Sequence, residues 1–339
     1  TESKSRAAAT AAAAGAAASP AVERLCSLSG CWEPWSPLRV GRTQHRAAIL
    51  DGVLYVVGGH QGEHCLAACE SLQLGGSEWE VMPQMYRARC SHGLAVMGRM
   101  LYVTGGTSDG KDCFESGERF DPRTLRWSPL PPMTVGRQNH ASVVLRERLY
   151  VVSGEAPKQA RPVACEVLDA GAAHWSSLPP LSATWDTLRA AAVADRLYVV
   201  ASSLTRRVAA ACERYDPGTG SWEALPRSEL LHVCVAAAEA GGKLYVFGKL
   251  SHQSKLAVCQ SYDPGTGQWE QLPPLPTERT SCRTVEVGGK IMVFGQCIET
   301  GAAGVRARCA VERFDPATRR WEAMQPPSQL DCEPVVVVH

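Results

Sequence analysis

Leu54-Tyr55-Val56-Val57-Gly58-Gly59 decides the fold, because the chain repeats it. It returns as LYVTGG ending at Gly105-Gly106, as LYVVSG ending at Ser153-Gly154, and then with eroding glycines as LYVVAS, LYVFGK and IMVFGQ. The first glycine position falls at 58, 105, 153, 201, 248 and 295, in steps of 47, 48, 48, 47 and 47 residues. Outward from this phrase, Trp32, Trp79, Trp127, Trp175, Trp222, Trp269 and Trp321 keep the same beat. Each of the first six stands 26 residues before the next first-glycine position, and all seven stand nine after a Glu, or after Gln260 in one repeat.

A self-similar unit of roughly 40 to 50 residues, built on short β-branched and aromatic runs, predicts an all-β propeller with one four-stranded blade per unit. Strands a to d are expected to end near Ile49-Leu50 and to lie at the glycine phrase, the glutamate phrase and the tryptophan. Phrases such as Asp216-Pro217-Gly218 and Asp263-Pro264-Gly265 supply the c-to-d turn. Length varies in the b-to-c loop. The sixth is longest, with 17 residues from Gly295 to Glu312, and residues 299–306 read as a mobile lip. The chain opens on c- and d-type phrases and closes on an a-type one at 334–338, so its ends are expected to share a composite blade. That makes seven blades over residues 21–339, with a six-bladed ring as the alternative, and closure removes exposed strand edges. Residues 1–20, nearly all alanine, are expected to be a flexible tail or linker. A chain that begins at Thr1 reads as a piece of something longer.

The formal net charge is +1, so the overall balance calls for neither nucleic acid nor a membrane surface. No apolar run reaches the roughly 18 to 20 residues of a membrane span, and Asn139, the lone asparagine, is in no glycosylation sequon. The 14 cysteines include no CxxC pair, and an intracellular, cytoplasmic chain with reduced thiols is expected. Cys69, Cys165, Cys212 and Cys259 share one repeat position and are expected to be small buried residues. Cys113 and Cys297, near b-to-c loops, are candidate exposed thiols. His45, His92 and His140 also share a position, and a structural role is expected of them rather than a metal site. No metal or cofactor is expected, and no GxSxG or phosphate-loop motif occurs.

In a propeller the d-to-a and b-to-c loops gather on one face around the channel. Ten residues after the tryptophans, Arg42, Arg89, Arg137, Trp185, His232 and Arg279 are expected to open strand a. With Arg87, the arginines form a candidate positive ring suited to an acidic peptide or a C-terminal carboxylate. Gln44, Ser91, Asn139 and Ser281 stand beside them as hydrogen-bonding groups, and His60, Thr107, Glu155, Lys249 and Gln296 follow the glycine phrases. Ion pairs to Glu and Asp of neighbouring blades are the competing use of those arginines.

The double Gly, the Tyr ahead of it, the Glu-Arg-aromatic phrases GERF, ACERY and AVERF, the Trp and the Arg are together similar to the kelch-repeat propellers, over residues 21–339. Departures are Ala201-Ser202, Lys249 and Gln296 at the glycines and Leu72-Gln73-Leu74 at the aromatic-Asp. The resemblance implies a protein-interaction module without catalysis. Through the BTB-kelch proteins it further implies a substrate receptor of a cullin-RING ubiquitin ligase, with the cullin-binding region outside this chain. A cytoskeletal or scaffolding kelch protein is the alternative, and a propeller enzyme a more distant one.

Overall fold

The structure, a computed structural model, describes residues 22–25, 32–156, 165–182, 187–202, 210–228, 233–249, 257–277, 279, 281–301 and 304–326. Six antiparallel four-stranded sheets follow one another, each a meander in the order a-b-c-d. Their inner and second strands are Arg46–Leu50 and Val53–Val57 in blade 1, Gly93–Met97 and Met100–Thr104 in blade 2, and Ala141–Leu145 and Arg148–Val152 in blade 3. In blades 4, 5 and 6 they are Thr187–Val193 and Arg196–Ser202, Val233–Ala240 and Lys243–Lys249, and Ser281–Val287 and Lys290–Gly301. The chain is all-β and forms a propeller of six such blades among the described residues. Val22–Leu25 and Trp32–Trp35 add a two-stranded sheet. The strand expected to complete it, at 334–338, lies outside the described residues, as does the tail at 1–20.

Strand b is a continuous apolar run because it is covered on both sides. In blade 3, Leu149 and Val151 pack toward blade 2, beside Met97, Tyr102 and Met133. Tyr150 and Val152, on the opposite pleat, pack toward blade 4, beside Leu197, Val199 and Tyr215. The same alternation repeats between blades 1 and 2, 4 and 5, and 5 and 6. The core is therefore a series of layers between blades. Val22 and Trp35 of the two-stranded sheet cover the outer side of blade 1 against Leu54, Leu72 and Trp79. Met292, Phe294 and Val311, on the side of blade 6 turned away from blade 5, are buried as well.

Tryptophan packs within its own blade and ties that blade to the preceding one. The strand-c aromatic packs on it at about the same centroid distance in each case: 5.1 Å for Phe120–Trp127, 5.1 Å for Tyr215–Trp222, 5.2 Å for Tyr262–Trp269 and 5.0 Å for Phe314–Trp321. Its indole N–H donates to a carbonyl on the segment arriving from the preceding blade. The acceptors are Ser36 for Trp79, Pro83 for Trp127, Pro131 for Trp175, Pro179 for Trp222, Pro226 for Trp269 and Pro273 for Trp321.

Two expectations change. Strand a starts at Arg46, Gly93 and Ala141, four residues after Arg42, Arg89 and Arg137, which belong to the d-to-a connection. The sixth b-to-c segment is a paired hairpin among the described residues, not an open loop. Strands Lys290–Gly301 and Gly304–Asp315 continue as one ladder from Ile291↔Phe314 to Gly301↔Gly304. Each extra residue on b is matched by one on c, so backbone pairing absorbs the added length.

Candidate functional site

The repeated arginine is an internal clamp. Arg42 Nη2 meets Glu70 at 2.5 Å and Arg89 Nη2 meets Glu118 at 2.8 Å, and Arg137 and Arg279 pair likewise with Glu166 and Glu312. All four guanidiniums are at most 2% exposed. The other terminal nitrogen donates to carbonyls at the end of strand b and the start of strand c: Gly58 and Ala68 from Arg42, Gly105 and Ser116 from Arg89, Val293 and Ala310 from Arg279. The glutamate in turn accepts amides of the arriving segment, Arg39 and Val40 at Glu70 and Tyr86 and Arg87 at Glu118. Burial lowers the pKa of Arg89 and Arg137, and the facing carboxylate opposes that shift. A buried pair satisfied in this way is strongly destabilised by loss of either partner. In blade 4, where Trp185 takes the arginine's place, Glu213 accepts the amide and hydroxyl of Ser182. In blade 5, Gln260 accepts from the Ser228 hydroxyl.

The double glycine sits where the next blade's backbone comes closest. The N–H of Gly59 donates to Arg89 O and that of Gly106 to Arg137 O. A Cβ on Gly105 would stand 2.3 Å from Arg137 O, at φ +59°. His45, His92 and His140 pack against these glycines. Burial holds His45 at about 4 and His140 at about 3, aided by Arg42 and Arg46 in the first case and Arg137 and Arg46 in the second. His92 is held well below its ordinary value by burial and by Arg46 and Arg89. Among the described residues no group of His, Cys, Asp and Glu is arranged to hold a metal ion.

A polar arc crosses the loop face over blades 1 to 3. In each blade one d-to-a residue pairs with the residue after the glycine phrase: Thr43 with His60, Cys90 with Thr107 and Gln138 with Glu155. The arc runs from blade to blade through Ser91 N to Gln44 O and Asn139 N to Ser91 O. Gln44, Ser91 and Asn139 all take positive φ, between 50° and 54°, which turns these carbonyls and amides along the face. Asn139 and Gln138 side-chain amides both donate to the Glu155 carboxylate.

The expected face therefore divides. Gln44, Asn139, Glu155 and Arg87 are exposed and His60 half-buried, whereas Ser91 and Thr107 are buried within the arc. Arg42, Arg89, Arg137 and Arg279 are near the face but spent on the clamp, so they do not form an open positive ring. Arg87 lays its guanidinium over the Phe114 ring at 4.3 Å. Ser281 pairs with Gln296, and Lys249 with Val233, as backbone partners across strands a and b. Trp185 and His232 lie outside the described residues, as does the side chain of Cys297. Cys113 is half-buried, and burial and Glu155 raise its pKa, which disfavours the thiolate.

Three arginines escaped the motif reading. Arg46, Arg189 and Arg283 all stand 12 residues before the first glycine position, where the other blades carry Gly93, Ala141 and Ala236. They lie on the innermost strands, and the charge of Arg46 is felt by all three histidines and that of Arg283 by His45. The shared register was the available signal.

Residues 28–154 match the KLHDC2/KLHL20/DRC7 Kelch-repeats domain and residues 232–276 the Kelch motif. The chain belongs to the kelch-repeat family. This kelch chain is 30% identical over 70 residues to Kelch repeat and BTB domain-containing protein 2 of cowpox virus, covering 21% of the chain and 13% of that relative. It is 29% identical over 92 residues to human Kelch-like protein 33, covering 27% of the chain and 17% of the relative. The solved structure of YjhT superposes with a TM-score of 0.59 at 14% identity, over 85% of this chain and 98% of that one. The kelch propeller is a protein-interaction module, of a family that generally binds proteins rather than acting as an enzyme. No helix among the described residues is long and apolar enough to cross a membrane.

Proposed function

We propose that the polar arc across blades 1 to 3 docks a peptide segment of a partner protein, and that this docking selects substrates for a cullin-RING ubiquitin ligase. The observation that carries the reading is the arc itself. Backbone bonds join it across three blades, and it presents Gln44, Gln138, Asn139 and Glu155 to solvent or near it, while the clamp beneath fixes its position. Side-chain amides and a carboxylate recognise an extended segment by hydrogen bonds, with preorganised loops limiting the entropy lost on docking. A similar viral protein carries BTB in its printed name, and this supports the ligase reading.

The test is capture from cells of the whole polypeptide that contains this domain, as wild type and as Asn139→Ala/Glu155→Ala, with quantitative mass spectrometry. The reading expects a cullin with both proteins and at least one client lost about tenfold from the variant, with the variant still melting cooperatively as a folded protein. Absence of a cullin from both removes the ligase role. Clients retained in full by the variant remove the arc as the docking site.

A further inference from the structure

We propose that Cys65 and Cys90 are a reversible disulfide site that clasps the loop of blade 1 to blade 2. Cys65 belongs to a small ribbon in the first b-to-c loop, His60–Gln61 paired with His64–Cys65. Cys90 stands just before strand a of blade 2, where it pairs with Thr107. Both are free thiols, and their sulfurs lie 2.8 Å apart, against roughly 2.05 Å for a formed S–S bond. Backbone holds them there: Arg89 N donates to Leu66 O, Leu66 N to Gly59 O and Cys90 N to Thr107 O. The bond therefore forms with little movement of either segment.

The two thiols have unequal access. Cys65 is half-buried and meets an oxidant first, whereas Cys90 is 4% exposed and acts from within. With oxidised glutathione as oxidant, the Cys65 sulfur attacks one glutathione sulfur, releasing one glutathione thiol and leaving a mixed disulfide. The Cys90 sulfur then attacks Cys65 Sγ, the Cys65–Cys90 bond forms, and the second glutathione leaves as thiol. Two electrons pass to glutathione, and the two cysteine protons are balanced by those on the two thiols released. Burial and the neighbouring Cys90 push the Cys65 thiol up to about 12, so exchange is slow at neutral pH and accelerates as pH rises. The linkage fixes the ribbon bearing His60, Gln61 and His64 to the blade that carries Thr107, beside the polar arc.

The test incubates the purified chain in reduced and oxidised glutathione mixtures, alkylates free thiols, digests with trypsin and maps linked peptides. The expected product joins residues 47–87 to residues 90–99 and disappears on reduction. It is absent from Cys65→Ser and from Cys90→Ser, and kept in Cys69→Ala and Cys113→Ser. Oxidation raises the melting temperature of the wild type by several degrees and leaves that of folded Cys65→Ser unchanged. Full alkylation of both thiols in the folded wild type under excess oxidised glutathione overturns the proposal. A link made equally well to Cys69 or Cys113 does so too.

Discussion

At the residue scale, glycine and arginine are two halves of one device. The second glycine gives its N–H to the next blade's arginine carbonyl, while the first leaves no room for a side chain beside it. Gly105→Ala meets both obstacles, a positive φ and a carbonyl 2.3 Å away, whereas Gly62→Ala meets only the φ, +60° with nothing within 4 Å. Gly62→Ala is expected to cost about 1 to 2 kcal/mol, and Gly105→Ala at least about 2 kcal/mol more by urea unfolding, from forced backbone displacement. Equal costs would show that the close approach is unimportant. Arg87→Ala, at an exposed stacked arginine, should cost no more than about 1 kcal/mol in the same measurement.

At the scale of the blade, the indole is both packing and tether. Trp127→Phe keeps an aromatic ring against Phe120 but deletes the hydrogen bond to Pro83 O, leaving that carbonyl short of a partner. It should cost about 1 to 3 kcal/mol, read from the urea midpoint. A change below about 0.5 kcal/mol would reduce the tether to packing alone. The sequence announced these elements well, because glycine phrase and tryptophan recur at fixed spacing. It was less informative about residues 299–301 and 304–306, which read as loop although they pair with one another across the strands. The arginines were read as opening strand a, which starts four residues later, and their pairing with acidic residues was only the competing use beside a peptide-binding ring. A pairing between Arg89 and Glu118, 29 positions apart, shows in sequence only as two repeated residues, and nothing local says that they meet. The arc was legible as separate polar positions, not as a hydrogen-bonded line, since the positive φ of Gln44 and Ser91 has no glycine to mark it.

At the scale of the whole molecule, blades 1 to 3 send three neutral histidines into one buried region beside Arg46, with Arg42, Arg89, Arg137 and Arg283 also acting on them. Their folded pKa values are depressed, so the unfolded chain binds more protons below about pH 6.5. The stability they contribute is complete above that pH and is lost as pH falls toward the folded values, about 4 for His45 and about 3 for His140. Between pH 7 and pH 5 His45 and His140 should each cost about 2 kcal/mol, and His45→Gln should flatten the slope of stability against pH. The central claim is that the arginine register belongs to the scaffold and leaves the polar arc as the recognition face. A double-mutant cycle at Arg89 and Glu118, by urea unfolding of the chain, tests it most directly. Arg89→Met leaves a buried carboxylate and should cost about 3 to 5 kcal/mol. Adding Glu118→Gln removes that charge, so the double variant should be more stable than the sum of the singles by about 2 kcal/mol. Costs below about 1 kcal/mol that simply add would contradict the account, and would return the arginine to the surface as a ligand-binding group.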